Sequence, residues 1–88
     1  MKVKEHLMLR TIYGECMVIP MGERLMEFNG MLKLNDTGAF LWKLLQKPVT
    51  REQLILKLLE EYEVDEKRAN ESVDDFLEML RKENILEE

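Results

Sequence analysis

The residue types that most often perform catalysis or bind metals are scarce in this 88-residue chain. His6 is the single histidine, and Cys16, ten positions further along, is the single cysteine. A zinc site usually holds about four ligands, most of them Cys or His, so a site here would need at least two carboxylates as well. We interpret His6 as a surface residue at the start of a strand and Cys16 as a small, partly buried residue beside a hairpin turn. The sequence therefore predicts no metal site.

The carboxylates and glycines also lack the spacing of an active site. Asp74 and Asp75 are adjacent, and successive side chains of a helix point about 100° apart, so these two do not form a facing acid-base pair. We interpret them, like Glu71, as part of a solvated helix face. The four glycines are isolated from one another, so no glycine-rich loop for a phosphate is present. Catalysis by this chain alone is not expected.

Composition and charge narrow the class of protein further. The chain is 45% hydrophobic and 35% charged, which is typical of a folded globular protein, and its length fits one domain over 1–88. Its net charge is −5, whereas binding to nucleic acid requires an excess of Lys and Arg. Uncharged apolar stretches such as 37–42 are far shorter than the about 20 residues of a membrane span. With one cysteine and no signal-peptide pattern, we expect a cytoplasmic protein that binds neither nucleic acid nor membrane.

The elements that must position any site begin with strands. The first third of the chain predicts strands over 6–13 and 17–21, joined by a tight turn in which Gly14 takes a positive φ. A third, short strand is predicted over 31–34. Its side chains alternate, because Leu32 and Leu34 lie on one face and Met31 and Lys33 on the other, as in a strand with one face in the core.

Three helices are predicted to follow. Asn35 or Asp36 caps a first helix over 37–46, which is apolar nearly all round and must therefore pack on several sides at the centre of the core. Thr50 and Gln53 have the spacing of a capping box, which begins a second helix. Asp65 caps a third helix that extends to about residue 82.

One flank of the third helix borders its apolar core stripe. Arg68, Ser72, Asp75 and Met79 are spaced i, i+4, i+7 and i+11 along it. Met79 is an adaptable apolar side chain beside otherwise polar neighbours. Two interpretations are open, peripheral core packing and the lining of a binding groove. A short strand with a free edge offers backbone groups that a protein either covers or uses to add a partner strand.

Three segments, in this order and within this length, resemble a known family. They are "LNDTGAFLW" at 34–42, "EYEVDE" at 61–66, and the V-x-x-F-L-x-x-L pattern at 73–80. The chain resembles PqqD, a small protein of pyrroloquinoline quinone biosynthesis, and the wider PqqD-like domains that recognise the leaders of ribosomally made precursor peptides. The resemblance covers almost the whole chain.

This resemblance implies an α+β, winged-helix-like fold with a three-stranded antiparallel sheet followed by three helices. It implies that the leader of a precursor peptide adds as a strand between the third strand and the third helix. The chain would then present the leader to a modifying enzyme, either a radical S-adenosylmethionine enzyme or a lasso-peptide maturation enzyme, with no catalysis or cofactor of its own. Carried over by position, the peptide-binding residues are Met31, Leu32, Lys33, Leu34, Arg68, Ser72, Asp75, Phe76 and Met79.

The alternative function is a winged-helix transcription regulator or another protein-interaction module. A DNA-binding regulator needs a basic recognition helix. The third helix instead carries five acidic and four basic residues. The sequence therefore favours peptide recognition.

Overall fold

A computed structural model of the protein describes residues 1–22 and 32–88. The described elements are β1 (Lys2–Val3), β2 (Leu7–Ile12), β3 (Glu15–Pro20), β4 (Leu32–Leu34), α1 (Asp36–Leu44), α2 (Arg51–Glu61), α3 (Glu66–Lys82) and β5 (Leu86–Glu87). Strands β2, β3 and β4 form a three-stranded antiparallel sheet, and three helices follow it. The predicted α+β class is confirmed.

The main sheet has the order β2-β3-β4, so β3 is central and β4 lies at an edge. The β2–β3 hairpin turns through Tyr13 and Gly14, whose φ angles are 51° and 79°. Two positive φ angles are typical of the type I′ turn, whose twist matches that of the flanking strands. Strand β4 pairs with β3 in a register that places Leu34 opposite Cys16 and Leu32 opposite Val18.

A second, smaller sheet was not predicted. Strands β1 and β5 pair antiparallel, with Lys2 opposite Glu87 and Val3 opposite Leu86. Strands of two residues are too short to show an alternating pattern in a sequence. The first strand predicted over 6–13 also begins one residue later, because His6 has a φ of 66° and does not continue an extended chain.

Helix α1 lies at the centre of the core, as its apolar composition predicted. Leu41, Trp42 and Leu45 are at most 2% exposed. They belong to one apolar cluster that also contains side chains from the main sheet and from both later helices, among them Val18, Leu34, Leu54, Leu58, Val73, Leu77 and Leu80. A domain of this size buries only a modest core. Here the main sheet and both later helices pack around this one helix.

Local caps fix where each helix begins. Asn35, rather than Asp36, caps α1, because its Oδ1 accepts a hydrogen bond of 2.8 Å from the Gly38 N–H. The predicted capping box of α2 is confirmed in both directions between Thr50 and Gln53. Asp65 caps α3 by accepting from the Arg68 N–H at 2.8 Å.

A polar clamp joins α2 to α3 on the outside of the domain. The Arg51 guanidinium donates to both carboxylate oxygens of Asp74, at 2.6 and 2.9 Å, and to the Asn70 side chain at 2.8 Å. The hydrogen bonds from Arg51 lower the pKa of the Asp74 carboxyl below its ordinary value. Within residues 1–22 and 32–88, no helix is long and apolar enough to cross a membrane.

Candidate peptide-binding groove

A groove of about 530 Å³ lies between β4 and α3. Lys33 and Leu34 form its strand side, and Arg68 and Met79 lie toward the two ends of its α3 wall. Its floor comes from α1 and α2, which contribute residues that include Leu41 and Leu58. Strand β4, which lies beside this opening, is thus next to a helix wall and above an apolar floor.

The outer edge of β4 provides the backbone hydrogen-bonding groups of the groove. In the described residues, β4 pairs with β3 alone. Alternate residues of an antiparallel strand direct both backbone groups to the same neighbour, so either Lys33 or the pair Leu32 and Leu34 directs its N–H and C=O outward. Such groups can accept an added strand. The edge is only three residues long and carries a charged side chain, two features that limit unwanted strand pairing.

The floor of the groove depends on a close approach between α1 and α3. A Cβ atom at Gly38 would lie 3.4 Å from Cε1 of Phe76, 3.4 Å from Cβ of Leu34 and 3.2 Å from Oδ1 of Asn35. These distances are tight, so glycine at this position allows the Phe76 ring to pack against the start of α1. Phe76 is only 7% exposed, and its ring therefore belongs both to the core and to the α3 wall of the groove.

Charged side chains line the rim of the groove. Lys33 Nζ lies 2.7 Å from Oε1 of Glu15, and both side chains are well exposed, so this pair contributes little to stability. Arg68, Glu71 and Asp75 make no side-chain ion pair with any other residue in the described part of the chain. The rim thus presents one cation and two carboxylates that are available to a ligand.

The structure brings together seven of the nine residues predicted from the sequence. These line the groove: Lys33, Leu34, Arg68, Ser72, Asp75, Phe76 and Met79. Leu32 does not line the groove, and its side chain packs against the core cluster. Met31 lies outside the described residues. Their role in peptide binding stays a prediction.

Several residues of the groove were not predicted. Glu71 was interpreted only as a solvent-facing carboxylate, yet it lines the groove, three residues after Arg68 and four before Asp75. That helical spacing was the available signal. Tyr62 and Val64 reach the groove from the connection between α2 and α3, where only the tertiary packing of the helices shows their position. The ring of Tyr62 is held there by an edge-to-face contact with Phe40, with centroids 5.5 Å apart.

Metal binding finds no support in the described residues, which contain no group of three or more His, Cys, Asp or Glu side chains that could hold an ion. The fold and the groove define a small α+β domain in which the outer edge of β4, unpaired among the described strands, faces a helix across an apolar floor.

The chain belongs to the PqqD family, because the family model described as "Coenzyme PQQ synthesis protein D (PqqD)" matches residues 16–86. This match confirms the resemblance seen in the sequence. No curated protein matches the chain. Among solved structures, TbiB1 in complex with the TbiA(beta) leader peptide matches with a TM-score of 0.76 at 23% sequence identity, covering 99% of this chain and 95% of that chain. At this identity the likeness concerns the fold.

Proposed function

We propose that this protein binds the leader of a ribosomally made precursor peptide as an added strand on β4, in the groove beside α3. The observation that carries the proposal is the outer edge of β4, which pairs with no other strand within residues 1–22 and 32–88 and lies next to an apolar floor. Membership of the PqqD family supports it, as does the likeness to a protein whose structure was solved with a leader peptide. Strand addition gives affinity through the backbone, and the side chains of the groove select among leaders.

The length of the bound segment follows from the dimensions of the helix wall. From Arg68 to Met79 the helix advances eleven residues, or roughly 16 Å at about 1.5 Å per residue. An extended peptide covers that distance in about five residues at about 3.3 Å each. The groove therefore suits a short segment, and the rest of the precursor is left accessible to an enzyme.

This geometry suits an adaptor better than a catalyst. A disordered leader is ordered on binding, at a cost of a few kcal/mol, which moderates affinity and permits release. We propose that the domain, spanning 1–88, presents the precursor in the cytoplasm to a separate modifying enzyme of the radical S-adenosylmethionine or lasso-maturation type. The chain itself contributes recognition and no bond chemistry.

An isotope-labelled titration tests the site. The ligand is a synthetic leader of the precursor encoded next to the gene of this protein. We expect the amide signals of β4, from Leu32 to Leu34, and those of the groove side of α3 to shift. Strand β2 provides the internal control, because it forms the other edge of the same sheet and is not part of the groove. Shifts confined to β2, or an absence of binding at high micromolar peptide, would contradict the proposal.

A second experiment tests the mode of binding. Single N-methyl groups are placed in turn on the backbone of the leader segment. In an added strand, alternate N–H groups point to β4 and the others point away. Affinity should therefore fall at every second position across about five residues. A uniform loss, or a loss over three or four consecutive positions as expected for a bound helix, would exclude strand addition.

A further inference from the structure

The charges on the rim of the groove differ from other charges on α3. Asp74 is engaged by Arg51, and Arg81 is engaged by Glu88 at 2.9 Å. Arg68 and Asp75 line the groove and, within the described residues, form no ion pair. The adjacent carboxylates of Asp74 and Asp75 thus have different environments. Asp74 joins α3 to α2, and Asp75 faces the space proposed for the peptide.

The order of side chains along the helix wall is also defined. Arg68 lies first, the carboxylates Glu71 and Asp75 follow, and the apolar end is formed by Phe76 and Met79. The cation and the midpoint of the two carboxylates are separated by five residues, or about 7 Å along the axis. The midpoint of the two carboxylates and the midpoint of Phe76 and Met79 are four and a half residues apart, or about 7 Å by the same measure. Side chains on one face of an extended peptide recur every two residues, at about 6.6 Å.

These two spacings match, and from them we infer the chemical class of leader that the groove selects. The bound segment carries an acidic, a basic and a large apolar side chain on alternate positions, in that order from the Arg68 end to the Met79 end. The acidic group pairs with Arg68, the basic group lies between Glu71 and Asp75, and the apolar group covers Phe76 and Met79. The inference rests on the proposed strand addition and goes beyond it by assigning the charges.

A selection experiment tests this without knowledge of the natural leader. The full chain is used to select binders from a library of random peptides. The pattern acidic-x-basic-x-apolar, or the same pattern in the opposite chain direction, should be enriched among peptides that shift the amide signals of β4. Each charged contact should change affinity by about two- to fivefold in dilute buffer and by less at high salt.

Charge-reversal variants then connect each preference to its residue. Asp75→Lys should abolish the basic preference, because Glu71 alone remains to oppose the new ammonium, and should weaken the original binders by about tenfold. Arg68→Glu should replace the acidic preference by a basic one. The matched controls are Glu78→Lys and Lys67→Glu, which make the same charge changes on α3 at exposed positions outside the groove lining. The controls should keep the wild-type preference.

The possible outcomes separate the inference from the proposed function. If the selected peptides shift β4 amides but show no charge pattern, or if both reversal variants select the wild-type pattern, the inference is wrong and strand addition stands. If selected peptides bind without any shift on β4 or on the groove side of α3, the proposed function itself is wrong. If no peptide is selected, both are contradicted.

Discussion

Truncation of Met79 to alanine should weaken peptide binding by more than a matched truncation elsewhere. Met79 is partly buried, packs against the core cluster, and lines the groove. Full burial of a methionine side chain contributes about 1.5–3 kcal/mol. Most of that area is already covered in the free domain, so Met79→Ala should cost about 1–2 kcal/mol of unfolding free energy. Alanine is the best helix former, so the backbone of α3 should be unaffected.

The remaining exposed area of Met79 is the part that a bound peptide would cover. At up to about a third of the side chain, it corresponds to at most about 1 kcal/mol, or a loss of affinity of about two- to fivefold. The assay is fluorescence anisotropy with a labelled leader, and urea unfolding gives the stability of each variant. A domain of 88 residues should have about 4–13 kcal/mol of stability, so the variant stays folded.

Two further variants make the result decisive. Leu59 on α2 is also partly buried against the core but does not line the groove, so Leu59→Ala should cost similar stability and leave affinity unchanged. Met79→Leu should restore most of the affinity, since it preserves the apolar volume. The reasoning is refuted if Met79→Ala binds as tightly as the wild type, or if Leu59→Ala weakens binding to the same degree.

Three other predictions concern the framework around the groove. Thr50→Ala should remove the capping box of α2 and lower stability by about 1 kcal/mol, or about 4–8 °C in Tm by calorimetry, whereas Thr50→Ser should be close to the wild type. Asn35→Ala should cost a similar amount and also reduce affinity, because Asn35 connects β4 to α1, and Asn35→Asp should retain the cap. Arg51 lowers the pKa of Asp74 in the folded state. The clamp should therefore stabilise the domain fully above the unfolded pKa of about 3.9. This contribution should be lost as the pH falls through the lower pKa of the folded state. Urea titrations from about pH 5 to pH 2 should show this loss in the wild type and a smaller one in Asp74→Asn.

Helix starts were predictable from the sequence because their determinants are local. The capping box at Thr50 and the N-cap at Asp65 act within a span of three residues, and the structure places both helices where these residues indicate. The choice between Asn35 and Asp36 was open, because either side chain can cap a helix that starts there. In the structure β4 ends at Leu34, and the next residue, Asn35, is extended and caps α1.

The pairing of β1 with β5 illustrates what local pattern does not contain. Val3 and Leu86 are buried to 5% and 8% exposure by a contact between residues 83 positions apart. Neither strand is long enough to show alternation, so the sequence pattern does not predict the pairing. It depends on the tertiary fold, in which α3 brings the C-terminal residues next to the N-terminal ones. The floor of the groove was unpredictable for a related reason. Leu41 and Leu58 are apolar positions in helices, and composition does not distinguish a core position that also borders a groove.

The placement of β4 explains how so short a strand can serve as a binding edge. Leu34 is 5% exposed in the core, and the next residue caps the buried helix α1, so the strand is fixed from the inner side. Lys33, between two inward-facing leucines, points away from that core and is exposed. Fixing the edge in advance lowers the entropy that must be lost when a peptide pairs with it. A small domain that places its central helix directly after its edge strand therefore uses the same buried contacts for stability and for the readiness of the site to bind.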